Sequence, residues 1–355
     1  MQVMVAMSGG VDSSVAAAML RDQGHDVVGV TLKLWGGESD SGCCSVSDVD
    51  DARRVAQQLE IDHLVFNFSE DFDRDVVEPY VADHARGITP NPCIECNRHL
   101  KFDRLMARAE ALGFDLVATG HHAQVVRTAD GRPRLTRGAD FAKDQSYVLH
   151  MLKASHLENV IFPIGGMTKD DVRKRATELG LRTAGKPDSQ DVCFISHTGG
   201  GRRVFLGNRI DMHPGRLVDK TGEQLGSVEA VELVTIGQRR GRGIGIDGRP
   251  RYALDVDVAG QSVLVGTAED LDVASESLHS FGWVDDAARI ESLASSTVTA
   301  QLSAHGDEIV VSELRETPSG LEVVWATPTH RVAPGQSIVL YDNNLVVGGG
   351  LVSRR

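Results

Sequence analysis

The sequence predicts an α/β protein, with an N-terminal doubly wound parallel sheet followed by two small β-rich domains. Three observations carry this. Short apolar strands alternate with helix-period segments as far as about residue 200, the pattern of a parallel sheet covered on both faces. Beyond that point the helical period fades, and short strand signals broken by Gly turns take over. The length, 355 residues, is too great for one ordinary core. The expected segments are 1–200, 201–272 and 273–355, with the second boundary near the acidic stretch AEDLDVASES.

The elements follow in order. QVMVAM, from Gln2, reads as a buried strand, and SGGVDSS as the tight turn after it. The next helix pairs Val15 with Met19 and Ala16 with Leu20, four apart on one side. DVVGVTL, from Asp26, is the second strand; a helix from about Val49 to Leu59 and the strand HLVFNF, from His63, come next. LKFDRLMARAEALG, from Leu100, is helical, and DLVATG, from Asp115, is a strand ending in a Gly turn. Thr168, with Asp171 three residues on, caps the helix TKDDVRKRATELG, whose VRKRA stretch reads as a solvated face. The later strands are GRLVDKTGEQLG, RYALDVDVAGQSVLVG, STVTAQL, DEIVVSEL, GLEVVWA, QSIVLYD and LVVGGGLV. Ligands of open parallel sheets bind beyond the carboxyl ends of the strands, where SGGVDSS and ATGHHA both lie.

Composition narrows the class. No run of about 18 apolar residues is present, so no membrane span is expected. The N-terminus enters a strand without a basic leader, which favours a cytoplasmic protein. Five cysteines (Cys43, Cys44, Cys93, Cys96, Cys193) are too few for a disulfide scaffold and suit reactive or metal-binding thiols. Cys43 and Cys44 are adjacent, a geometry that disfavours pairing with each other. The net charge of −13 counts against a nucleic-acid partner. Against it stands GQRRGRGIGIDGRPR, where Arg239, Arg240, Arg242, Arg249 and Arg251 sit among glycines as a candidate phosphate-backbone contact.

SGGVDSS, Ser8 to Ser14, is the most informative heptad. Its glycines let backbone N–H groups approach a ligand, and the following helix offers its positive end. No G-x-x-x-x-G-K-[ST] is present, so this is not a Walker A loop. Asp12 inside the turn suggests pyrophosphate held together with Mg²⁺.

The heptad resembles that of the PP-loop (N-type) ATP pyrophosphatases, which cleave ATP between the α and β phosphates and activate a carbonyl oxygen by adenylation. The resemblance implies an ATP loop of Ala6, Met7, Ser8, Gly9, Gly10, Val11, Asp12 and Ser13, with Leu32 and Gly120 lining the adenine pocket. By residue type alone, Leu32 reads as core rather than as a pocket residue.

The thiols extend the resemblance. SGGVDSS, GCCS, NPC-x-x-CN-x-x-x-KF, ATGHHA, KDQSYVL, DSQDVCFI, TIGQRRGRGIG and PGQS, in that order and over nearly the whole chain, are similar to the motifs of tRNA-specific 2-thiouridylases. That family implies ATP-dependent replacement of the C2 oxygen of the wobble uridine by sulfur, releasing AMP and pyrophosphate. It implies Cys96 as nucleophile and Cys193 as persulfide carrier, the two closing a transient disulfide. It matches Asn91, Pro92 and Cys93 to the segment meeting the target base, and Lys143, Asp144, Gln145, His121 and Gln336 to tRNA contacts. By residue type alone, His121 and His122 read equally as core histidines. Expected partners are tRNAs with Lys, Glu and Gln acceptors and a cysteine desulfurase or sulfur-relay protein.

Two departures stand out. Many members carry Asp where this chain has Cys93, so Cys93 is either an acid/base stand-in or a cluster ligand. In the second case Cys93, Cys96 and Cys193 would hold three irons of a [4Fe–4S] cluster, with the fourth open to sulfide; a structural zinc completed by His99 or Cys43 is a third arrangement. An Arg-Tyr-Arg stretch of some members is replaced by Gln301, Leu302 and Ser303, so that contact is not carried over. Competing functions are a PP-loop synthetase that adenylates a small molecule and a non-catalytic RNA-binding or iron–sulfur carrier.

Overall fold

The computed structural model describes residues 1–34, 46–188, 192–196, 201–239 and 250–354. Their contacts form two compact units. The first comprises 1–77, 92–202 and 344–347, and the second comprises 78–91, 203–343 and 348–355.

The first unit is built on a parallel sheet. Its strands are β1 (Gln2–Ala6), β2 (Asp26–Lys33), β3 (Asp62–Asn67), β4 (Leu116–Thr119) and, after a hairpin of β5 (Ala123–Arg127) and β6 (Pro133–Arg137), β7 (Val160–Ile161). The order β3-β2-β1-β4-β7 puts the reversal of winding between β1 and β4. Met4 of β1 stands opposite Val28 on one side and Val117 on the other. A reversal of this kind opens a crevice at the carboxyl ends of the two strands, because the connections leave on opposite faces.

Alternation along β1 explains the layers. Val3 and Val5 pack with Val11, Val15 and Ala18 of α1 (Val11–Asp22), Ala52, Val55 and Leu59 of α2 (Val46–Leu59), and Val172 and Ala176 of α3 (Lys169–Glu178). Met4, pointing the other way, is also fully buried. Strand β3 departs from the expectation of a sheet covered on both faces: at the edge, Leu64 and Val65 remain 39% and 42% exposed. Helix α2 begins three residues earlier than expected.

The second unit is β-rich. Gly215–Val218, Gln224–Val228, Tyr252–Asp257 and Ser262–Gly266 form one sheet over Leu217, Val228, Val231, Val256 and Val263. Asp272–Trp283, Val298–Gln301, Ile309–Thr317, Gly320–His330 and Ser337–Asp342 form another, in which Asp272–Trp283 also pairs antiparallel with Gly348–Val352. The acidic stretch expected as a boundary lies partly in a 3₁₀ turn, Glu269–Leu271, and runs on into the first of these strands. No helix among the described residues is long and apolar enough to cross a membrane.

Candidate active site

The turn after β1 and the first turn of α1 meet the turn after β4 in the crevice. Gly9 has φ +72°, and a Cβ there would stand 2.3 Å from the Asp48 carbonyl oxygen, so only glycine closes this turn. Gly10 caps α1 without a side-chain hydrogen bond. Ser13 Oγ accepts from the Ser8 N–H at 3.2 Å, and Ser14 Oγ donates to the Gly10 carbonyl at 2.7 Å. The hydroxyls therefore brace the loop, and the helix end supplies its partial positive charge. Gly120 is explained by close approach: a Cβ would lie 2.6 Å from the Ser13 nitrogen. Leu32 is buried in β2, as are Met7 and Val11 in the core beneath the loop.

Asp12 is the charged centre. Lys169 Nζ donates to both its oxygens, at 2.7 and 2.8 Å, and His122 Nε2 lies 3.4 Å away. Burial works against its charge, yet the hydrogen bonds from His122 and Lys169 bring its carboxyl below its ordinary value. Lys169 is 9% exposed and reaches Asp188 as well, at 3.0 Å. Asp188 also takes Lys143 at 2.8 Å and Arg173 at 2.6 Å. Although burial opposes it, the hydrogen bonds from Lys143 and Lys169 hold the Asp188 carboxyl far below the usual range. Beside the loop, Lys186 Nζ binds the Gly9 carbonyl, Asp48 and Asp51.

Sequence reasoning missed Lys169, Arg173, Lys186 and Asp188. One signal was available: Lys169 is the first residue of α3, directly after the Thr168 cap, where a cation opposes the helix dipole and needs another reason to be there. VRKRA is not merely a solvated face, since Arg173 turns inward to the carbonyls of Ala184 and Lys186 and to Asp188. The Thr168–Asp171 capping box is formed as the spacing predicts.

Cys93 and Cys96 lie on a helical run that begins with Pro92 and continues to Ala111. Its middle, Cys96–Arg104, winds as a π-helix, a form frequent at functional sites. Asn97 donates to the Val148 carbonyl at 3.1 Å and ties this run to the segment after Asp144. Cys193 opens the short helix Cys193–Ser196, anchored by Phe194 edge-on against Phe72 at 5.6 Å. Its predecessor Val192 has φ +51°, a costly conformation for a β-branched residue. Cys93, Cys96 and Cys193 are partly exposed as residues, although the Cys96 sulfur itself is buried, and none is disulfide-bonded. Burial pushes the Cys96 thiol up to about 12; nearby Lys101 opposes the rise, and nearby Cys193 and Cys93 add to it. The fold thus brings the three expected cysteines together. Phe102, on the same run as Cys93 and Cys96, packs on the His121 ring at 6.0 Å, so that run adjoins the turn after β4.

The expected RNA contacts divide. Lys143 and Gln145 are partly exposed, and Gln145 Oε1 accepts from the His122 N–H at 2.9 Å. His121 and Asp144 carry their side chains inside. His121 pairs with Thr119 Oγ1 at 2.6 Å and packs on Phe102 and Phe162. Asp144 accepts from Arg137, Gly138 and Ser146. A direct side-chain contact with RNA from either is not what this geometry offers. Pro92 is buried. Asn91 and Gln336 belong to the second unit, where Gln336 Nε2 donates to the Thr89 carbonyl at 2.6 Å. Cys43, Cys44, Arg240, Arg242 and Arg249 lie outside the described residues, while Arg239 is exposed. No three His, Cys, Asp or Glu side chains among the described residues converge on one metal ion, and Cys43, a ligand of the zinc alternative, lies outside those residues.

Three family models match the chain: a tRNA methyl transferase HUP domain over residues 1–197, a tRNA methyl transferase PRC-barrel domain over 203–267, and an aminomethyltransferase beta-barrel domain over 277–352. Among known proteins it is similar to the tRNA-specific 2-thiouridylase MnmA of Mycolicibacterium smegmatis, 46% identical over 371 residues and all of both chains. It is also similar to the tRNA-specific 2-thiouridylase MnmA of Chloroflexus aurantiacus, 42% identical over 99% of this chain and 98% of that one. A solved U34-tRNA thiolase, NcsA from Methanococcus maripaludis with its [4Fe–4S] cluster, aligns with 59% of this chain and 73% of its own at 16% identity and a TM-score of 0.37.

Proposed function

The chain belongs to the tRNA-specific 2-thiouridylase family, and from that premise we propose how its residues divide the work. The enzyme is an ATP-dependent tRNA sulfurtransferase that forms 2-thiouridine. The residues 1–200 are the PP-loop catalytic domain, with 201–272 and 273–355 as the central and C-terminal β domains. Ala6 to Ser13 bind ATP at the end of α1, with Leu32 and Gly120 bounding the adenine. Asp12 would hold Mg²⁺ together with the ATP phosphates, and the ion would spread their negative charge.

ATP installs AMP on the C2 oxygen of the wobble uridine in tRNAs with Lys, Glu and Gln acceptors. A cysteine desulfurase, directly or through a relay protein, loads Cys193 as a persulfide in the cytoplasm. The terminal sulfur bonds to C2 as the C2–O bond breaks and AMP leaves. The Cys96 thiolate then attacks the inner sulfur of Cys193, which breaks the persulfide S–S bond and leaves the outer sulfur on the base. An external dithiol reduces the resulting Cys96–Cys193 disulfide before the next cycle by thiol–disulfide exchange, itself becoming a disulfide. Cys93, as its thiolate, takes the Cys96 proton and becomes the neutral thiol. Asn91, Pro92, Lys143, Gln145 and Gln336 serve tRNA binding. His121 and Asp144 serve it indirectly, by fixing the turns that carry their neighbours.

The observation that carries this reading is the convergence of Cys193 and Cys93 on Cys96, beside the turn that reaches Asp12 through His122. The test loads the anaerobic protein with a cysteine desulfurase and cysteine and maps peptides by mass spectrometry. One added sulfur atom on Cys193, passed to tRNA by wild type but left as a covalent Cys193–S–S–tRNA adduct in Cys96→Ala once ATP and tRNA are added, is the expected result. Iron and acid-labile sulfide in an active preparation, with no sulfur on Cys193, would overturn it.

A further inference from the structure

Asp188 has two carboxylate oxygens and three cationic heads. Lys169 and Arg173 share Oδ1, at 3.0 and 2.6 Å, and Lys143 takes Oδ2 at 2.8 Å. Three cations turned to one point is the arrangement that a phosphate, with three peripheral oxygens, satisfies better than a carboxylate. The cluster is reachable: Asp188, Arg173 and Lys143 are 31%, 32% and 42% exposed. It is joined to the nucleotide loop, because the same Lys169 ammonium binds Asp12. Arg173 is aimed by the carbonyls of Ala184 and Lys186, so its fork is held in place before any ligand arrives.

We propose that the Asp188 carboxylate occupies the place of an ATP phosphate in the empty enzyme, and that Lys169 and Arg173 are the phosphate's ligands once ATP displaces it. This rests on the reading of SGGVDSS as the ATP loop. Lys143 makes the exchange feasible. When the phosphate takes Lys169 and Arg173, Asp188 keeps Lys143, and no carboxylate is left without a partner. Asp140 stays out of the exchange, since it accepts the Lys169 backbone N–H and not its ammonium. Asp188 is therefore a positioning residue, an internal competitor that keeps two cations aligned and weakens the hold on released pyrophosphate.

The test compares wild type with Asp188→Asn, Lys143→Gln and Ser13→Ala in the full tRNA thiolation assay, measuring KM for ATP, KM for tRNA and inhibition by pyrophosphate. Removing the competitor in Asp188→Asn lowers the pyrophosphate inhibition constant about tenfold, the worth of one charge-assisted hydrogen bond, and lowers KM for ATP with it. Lys143→Gln leaves Asp188 without its own cation, so pyrophosphate inhibits less well; this exposed change keeps the test open should Asp188→Asn fold poorly. Pyrophosphate inhibition unchanged or weaker in a folded Asp188→Asn overturns the proposal. A shift in KM for tRNA alone overturns it too, and gives the three cations to the RNA backbone. Ser13→Ala separates the underlying reading: if KM for ATP does not rise in that variant, the ATP loop assignment fails, whatever Asp188→Asn shows.

Discussion

The crevice and the thiol cluster lie in the same unit, yet their ionisable groups answer the loss of water in opposite ways. Around Asp12 and Asp188 the fold supplies Lys169, Lys143, Arg173 and His122, and the carboxyls stay ionised against the cost of losing water. Around Cys96 it supplies one opposing cation, Lys101, and two further sulfurs, and burial wins. The first region is charged in advance for an anionic substrate. The second keeps the Cys96 thiol protonated. A thiol that stayed ionised in the empty enzyme would be open to oxidation and alkylation without substrate.

Three measurements bear on this contrast. The largest effect is expected from Lys169→Met, which leaves Asp12 without its main partner. Allowing for the 30% exposure of Asp12, it costs about 2 kcal/mol of unfolding free energy, seen as a lower denaturation midpoint. If stability does not change, the crevice charges are not compensating one another. Next, alkylation of Cys96 in the empty protein should rise roughly tenfold per pH unit from pH 8 towards 11, since only the thiolate reacts. The folded protein holds this proton above the ordinary value of 9.0, so ionisation works against folding as pH rises from there towards about 12. A plateau in the labelling rate by pH 9 would show the thiol to be ordinary and the contrast false. The smallest effect is that of Lys101→Met: without the opposing cation, Cys96 labelling at pH 9 slows by about twofold to fivefold, while KM for ATP holds.

Much of this was legible in the chain. The alternation of strand and helix up to about residue 200 gave the parallel sheet, and the heptad after β1 falls at the reversal of strand order. The motifs NPC-x-x-CN and DSQDVCFI gave the three thiols. Other features were not legible, for identifiable reasons. Gly120 makes a close approach to the Ser13 backbone, and sequence does not show what a missing Cβ would strike. The sequence left His121 open between a core residue and an RNA contact and matched Asp144 to an RNA contact; only the structure shows Thr119 and Arg137 beside them inside.

What the sequence determined by itself is local or periodic: which stretches alternate, where a helix is capped, which residue types can bind phosphate or carry sulfur. What only the tertiary structure decided is which charge meets which. Asp12, Lys143, Lys169 and Asp188 lie on four separate segments, and nothing in their spacing brings them together. Their meeting is set by the order of strands and by burial, because in a partly dry crevice each charge is held by whichever opposite charge the fold places within 3 Å.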